Sequence, residues 1–170
     1  MNPEGRSDGW RIIGVGSPVT GDDLGWAAIA ALKEAGLDHV AELLFLDRPG
    51  PALVDHLQGR DRVILIDAMQ AGLVPGSVRA LSHEELIVSA HPPSSHDLGL
   101  AEALALARAL DCIPAHLHVI GIETGPGLDG ETRSVAIRDA VQVIQAILSG
   151  NRSGFGPDDA APRFPSQRGR

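Results

Sequence analysis

RVILID (residues 62–67) is the stretch that decides the fold of this chain of 170 residues. Four consecutive apolar residues, three of them β-branched, indicate a strand that is buried on both faces, as in a parallel sheet covered by helices. Asp67 ends the apolar run, where such a strand leaves the core. Because ligands bind outside the carboxyl ends of the strands in these sheets, Asp67 is the first candidate for a functional site.

Short apolar runs and helical patterns alternate on both sides of this stretch. With Arg62–Ile66 as the third, five strands are predicted, the others being Trp10–Val15, Val40–Leu46, Ser77–Leu81 and His116–Ile122. Helices are predicted at Trp26–Ala35, Pro51–Leu57, Leu98–Leu110 and Arg133–Leu148. This alternation predicts a three-layer α/β sandwich, with a five-stranded, mostly parallel sheet and helices on both faces. We expect a single domain over residues 10–149, with flexible termini at 1–9 and 150–170.

The composition excludes several classes of protein. A net charge of −8 argues against binding to nucleic acid, whose phosphates require a basic surface. Cys112 is the single cysteine, so neither a disulfide framework nor a cysteine-rich zinc cluster is expected. No apolar run approaches the roughly 20 residues of a membrane helix, and no signal peptide is recognisable. We expect a cytoplasmic protein, a monomer without a membrane partner.

The turn after the first strand, GVGSPVTGDDLG (residues 14–25), is rich in glycine and carries Asp22 and Asp23 side by side. It matches neither GxGxxG nor the Walker pattern, and two aspartates would repel a pyrophosphate, which disfavours a dinucleotide site. One aspartate can cap the following helix, but helix capping does not explain both.

A histidine opens the longest apolar helix, in SSHDLGL (residues 94–100). Ser94 and Asp97 have capping-box spacing, which places His96 in the first turn, where the helix dipole favours a neutral imidazole. An aspartate of the first loop, Asp67 and His96 would form an open set of oxygen and nitrogen ligands that suits a divalent transition metal. The chain has no HExxH or GxSxG motif to indicate a zincin or a serine hydrolase.

Other polar residues have simpler interpretations. Cys112, next to Ile113 and Pro114, is expected to pack as a small hydrophobic residue. His116 and His118 alternate within a strand, and His91 lies in a loop with no fixed direction. Glu123, at the end of the last strand, would either line the cleft or hold its loops together.

At these residues the sequence resembles the hydrogenase maturation endopeptidases, over about residues 10–148. The similar pieces, in order, are Gly14–Pro18 with Asp22 and Asp23, Ile64–Ala68, Ser95–Leu100 and Ile120–Glu123. The resemblance implies removal of a short C-terminal extension from the precursor of a nickel-iron hydrogenase large subunit, once nickel has been inserted. It also implies that Asp23, Asp67 and His96 contact the nickel and carry the catalysis. The nickel would arrive with the precursor, and we expect no tightly held metal in the enzyme itself.

This chain departs from the family pattern at two loops. It lacks one residue between the acidic pair and Leu24-Gly25-Trp26, which leaves Asp22 as the alternative to Asp23. The loop Asp47-Arg48-Pro49-Gly50 also differs from the family form, which suggests a role in choosing the hydrogenase. The alternative functions are a non-catalytic nickel-sensing escort for the precursor and a nucleotide-binding domain.

Overall fold

The computed structural model describes residues 7–18, 22–81 and 94–150, and for residues 7, 8 and 94–98 it describes the backbone alone. The strands are β1 (Ser7–Gly16), β2 (Ala41–Asp47), β3 (Arg60–Met69), β4 (Val78–Leu81) and β5 (His116–Glu123). The helices are α1 (Leu24–Glu34), α2 (Leu53–Leu57), α3 (Ser94–Ala109) and α4 (Gly130–Leu148), with short 3-10 turns at Leu37–His39 and Gly50–Ala52. None of the helices in these ranges has the length and apolar character needed to cross a membrane.

The described strands form a five-stranded sheet in the order β2-β1-β3-β5-β4. All neighbouring pairs are parallel except β4 with β5, which is antiparallel. β3 therefore lies in the middle of the sheet, where both of its backbone edges are paired. This confirms the predicted five-stranded, mostly parallel sheet.

Helices cover both faces of the sheet, and β3 contributes alternate residues to the two cores. On one face, Ile64 and Ile66 pack with α1 and α4. On the other, Val63 and Leu65 pack with α2 and α3. All four residues are fully buried, which accounts for the continuous apolar run that a one-sided sheet would not need.

Several elements begin earlier or end later than predicted. β1 begins at Ser7, which pairs with Arg60 across an irregularity in the register, so residues 7–9 belong to the sheet rather than to a loose terminus. β3 extends to Met69, and α4 begins at Gly130. Residues 1–6, the tail 151–170 and His91 lie outside the described residues.

The beginning of α1 packs directly against the carboxyl ends of β1 and β3, at positions occupied by glycine. A Cβ atom on Gly25 would collide with the Val15 carbonyl oxygen and would lie 2.6 Å from that of Ile66. A Cβ on Gly14 would lie 2.6 Å from Cγ1 of Ile29. Packing of helix against strand thus explains glycines of the first loop that resembled a phosphate cradle.

We expect Gly25→Ala to lower the free energy of unfolding by about 1–3 kcal/mol or more, because the obstructing atoms belong to the backbone and cannot rotate away. Urea unfolding should show a lower midpoint with an unchanged slope. Gly99→Ala is the matched control, a helical glycine whose added Cβ would have no described atom within 4 Å. It should gain up to about 1 kcal/mol. A Gly25→Ala protein as stable as the parent would refute the packing explanation.

Candidate functional site

A cavity of about 140 Å³ opens at the carboxyl end of the sheet, between the ends of β1 and β3, the start of α2 and the second turn of α3. Asp22 and Asp67 both line it. The apolar part of its wall includes Leu53 of α2 and Leu100 of α3, which belong to the core on that face of the sheet. The structure therefore brings Asp22 of the first loop and Asp67 of β3 to one cavity.

Asp67 is held at the inner end of this cavity by its place on β3. Its exposed fraction is 8%, and its Oδ1 accepts a hydrogen bond from the following Ala68 N–H at 2.8 Å. By the alternation of a strand, Asp67 shares a sheet face with Val63 and Leu65, which is the face that α2 and α3 cover. A carboxylate at this point is shielded from solvent and positioned by local backbone geometry.

Asp22 is placed by the closing of the first loop. The Ser17 N–H donates to the Asp22 carbonyl oxygen at 3.0 Å, and Gly16 approaches the same oxygen so closely that a Cβ would collide with it. Asp22 Oδ2 is buried. The backbone thus fixes where this carboxylate lies at the cavity.

Asp23 is engaged elsewhere. Its two carboxylate oxygens accept from Arg133 on α4 at 2.9 and 2.8 Å, in a bidentate ion pair whose side chains are about one-third exposed. α4 itself is capped by Asp129, which accepts from the Thr132 N–H at 2.8 Å. This bond stabilises the ionised carboxylate and holds the pKa of Asp129 below its ordinary value. The first loop is therefore tied to the start of α4 through Asp23.

His96 lies in the first turn of α3, and its side chain is outside the described part of the chain. Gly99 and Leu100, three and four residues further on, line the cavity, and residues at this spacing share a helix face. Among the described side chains no three histidines, cysteines or acidic residues are close enough together to hold a metal ion. The grouping of His96 with two aspartates stays a prediction.

Glu123 holds the loop that follows β3. Its exposed fraction is 2%, and its carboxylate accepts hydrogen bonds from three consecutive backbone amides, those of Ala71, Gly72 and Leu73, at 2.9–3.2 Å. Its own N–H donates to the Ser77 carbonyl at 2.8 Å. Of the two interpretations open for Glu123, the structure therefore supports the holding of a loop.

Arg48 also lines the cavity. The sequence pointed to its loop, Asp47-Arg48-Pro49-Gly50, but assigned no role to the arginine itself. Its backbone is left-handed, with φ of 40°, and its N–H donates to the Gly16 carbonyl at 3.1 Å. Its side chain lines the cavity, and its Nε donates to Asp47 Oδ1 at 2.9 Å. A residue with a long side chain rarely adopts left-handed backbone. The residue types that usually indicate this conformation are glycine and asparagine, and position 48 has neither.

The remaining polar candidates lie away from the cavity or have structural roles. His116 and His118 are at the start of β5, the opposite end of the sheet, where the ring of His118 lies 5.9 Å from that of Trp10. Cys112 packs beside the core formed with α2 and α3, and its Sγ donates to the Leu110 carbonyl at 3.3 Å. Both observations agree with the simpler interpretations.

Comparison with known proteins gives one consistent family. A family model described as a hydrogenase maturation protease matches residues 48–149. The hydrogenase expression/formation protein HupD of Thiocapsa roseopersicina is 31% identical over 116 residues, which are 66% of this chain and 52% of that protein. The chain thus spans about half the length of that curated relative.

Solved structures agree in fold. An endopeptidase from Escherichia coli, solved in solution, is 25% identical with a TM-score of 0.71, over 84% of this chain and 94% of that one. The hydrogenase maturating endopeptidase HybD from E. coli has a TM-score of 0.69 at 24% identity, over 84% and 93% of the two chains.

We expect Glu123→Gln to lower the free energy of unfolding by about 1.5–3 kcal/mol, because a charged acceptor of three amide bonds becomes neutral and gains an NH₂ group that cannot accept. Chemical unfolding followed by circular dichroism measures the change. Glu102→Gln, on an exposed position of α3, is the control and should stay within about 0.5 kcal/mol of the parent. Equal stability of the two variants would show that the loop does not depend on the Glu123 charge.

Proposed function

We propose that this chain, which belongs to the hydrogenase maturation protease family, removes the C-terminal extension of a nickel-loaded hydrogenase large-subunit precursor. The single observation that carries this proposal is the cavity lined by Asp22 and Asp67 at the carboxyl end of the sheet. We further propose that the protease acts in the cytoplasm as a monomer and that the precursor is its partner.

The recognition of nickel rests on Asp67, His96 and one aspartate of the first loop. Carboxylate oxygen and imidazole nitrogen are ligands for a divalent transition metal, but they include no sulfur. The cysteine thiolates of the precursor would supply the sulfur ligands. Nickel is therefore part of the substrate, and the three protease residues add contacts that favour the loaded precursor over the empty one.

Asp22 is the better candidate for the first-loop ligand, although the family resemblance assigned that role to Asp23. Asp22 lines the cavity together with Asp67. Asp23 is bound by both terminal nitrogens of Arg133, so it would have to leave a bidentate ion pair before it could bind a metal. The residue missing between the acidic pair and Leu24 supports the same choice, because it moves each acid one position closer to α1.

Two chemical routes follow from this arrangement. In the first, the substrate's nickel polarises the scissile carbonyl or activates the attacking water. In the second, nickel positions the precursor, and an aspartate of the cavity takes the proton from water. Asp67 suits the second role, because it is nearly buried and held in place by the Ala68 N–H.

Cleavage of nickel-loaded precursor, followed by mass spectrometry of its C-terminus, tests the proposal. We expect Asp22→Asn, Asp67→Asn and His96→Ala to lose at least about a hundredfold in kcat/KM. Asparagine at position 67 keeps the oxygen that the Ala68 N–H requires, which limits the damage to the fold. Nickel-free precursor should remain uncut.

Asp23→Asn is the matched control, a neutral replacement of the neighbouring acid. We expect it to keep most of the activity and to lose up to about 1 kcal/mol of stability, because it weakens a partly exposed ion pair. Activity lost with Asp23→Asn and kept with Asp22→Asn would return the metal contact to Asp23. Cleavage by all the variants would refute the site, and binding of the precursor without any change in its mass would favour the escort function.

A further inference from the structure

Among the described residues, one arginine stands beside the two carboxylates of the cavity. Arg48 lines it together with Asp22 and Asp67, and its side chain is 59% exposed. A cation at this place is unexpected in a cavity proposed to receive a nickel ion, since like charges repel and the ion pair of Arg48 with Asp47 is exposed to solvent, which screens it. An anionic group that arrives with the substrate would remove that conflict.

The position of Arg48 is fixed by the backbone rather than by its flexible side chain. Its N–H donates to the Gly16 carbonyl at the end of β1, which ties the loop after β2 to the first loop. Its φ of 40° is one that a non-glycine residue rarely adopts, and such positions are concentrated at functional sites. Pro49 follows directly and restricts the loop further.

The guanidinium is oriented but not fully used. Within the described part of the chain, Arg48 donates a side-chain hydrogen bond from Nε to Asp47 Oδ1, at 2.9 Å. The two terminal nitrogens then present a planar fork of N–H groups, and this fork matches the two oxygens of a carboxylate. The contact with Asp47 therefore orients Arg48 so that its terminal nitrogens can donate to a second carboxylate.

We infer that Arg48 is a specificity-determining residue, which binds a carboxylate of the precursor's C-terminal segment and so selects which precursor is processed. The inference deepens the proposed function and rests on it. The carboxylate belongs either to an acidic side chain of that segment or to its C-terminus, and both present the same two oxygens.

The test compares the nickel-loaded precursor that the wild-type chain cleaves with two kinds of variant. In one kind each acidic residue of the C-terminal segment is changed in turn to its amide, and in the other the C-terminus is extended by a short Gly-Ser sequence. We expect one of these changes to raise KM at least about tenfold. Arg48→Gln should raise KM for the unmodified precursor by the same factor, with little change in kcat. Combining both changes should cause no further rise, as for two groups that bind each other.

Two further variants separate recognition from folding. Arg48→Gly should lose the same selectivity while remaining at least as stable as the parent, because glycine adopts this backbone without strain. Arg138→Gln, which removes an exposed arginine of α4, should leave KM unchanged. If the wild type cleaves and Arg48→Gln shows an unchanged KM, or if no change to the precursor raises KM, the role of Arg48 is refuted and the proposed function stands. A wild-type chain that leaves loaded precursor intact refutes both.

Discussion

The close approach of α1 to the sheet is the constraint on which the site depends. At Gly14 and Gly25 the helix and the strand ends pack so closely that not even a methyl group fits between them. This contact places the first loop, which carries the acidic pair, next to the carboxyl end of β3. Because Asp67 is on β3 itself, the distance between the two strands then determines how near the acids of the two elements lie. Packing alone is therefore enough to account for Gly14 and Gly25.

The acidic pair shows how one turn of chain can serve two purposes. Asp22 and Asp23 are adjacent, yet the first lines the cavity and the second binds Arg133 across the beginning of α4. The ion pair has a modest energy because it is partly exposed, but it joins the loop to α4, the helix that packs with α1 on one face of the sheet. The two neighbouring acids therefore have different surroundings, one at the cavity and the other in an ion pair that supports the loop.

Much of the fold could be predicted from the sequence, because a strand buried on both faces leaves a continuous apolar run such as Val63–Ile66, and the alternation of strands with helices indicates a parallel sheet. The bounds of the elements were less predictable: the polar residues Ser7 and Asp8 show no apolar pattern, yet they extend β1. Asp67 could be found because it interrupts an apolar strand. The partner of Asp23 could not, since Arg133 is 110 residues away in the sequence and no local pattern links the two. The loop of Arg48 was noticed, but the arginine itself could not be placed at the cavity, because sequence propensities assign its left-handed backbone to glycine.

Glu123 has a further consequence for the way the protein would meet a large partner. Its buried carboxylate accepts hydrogen bonds from three successive backbone amides of the segment after β3. The same segment continues to Val74, whose side chain is exposed. A surface segment held in this way has already lost its conformational entropy during folding, so a partner that touches it would not have to order it. The rim around β3 therefore behaves as a rigid platform, and the adjustment needed for docking would fall on the incoming polypeptide.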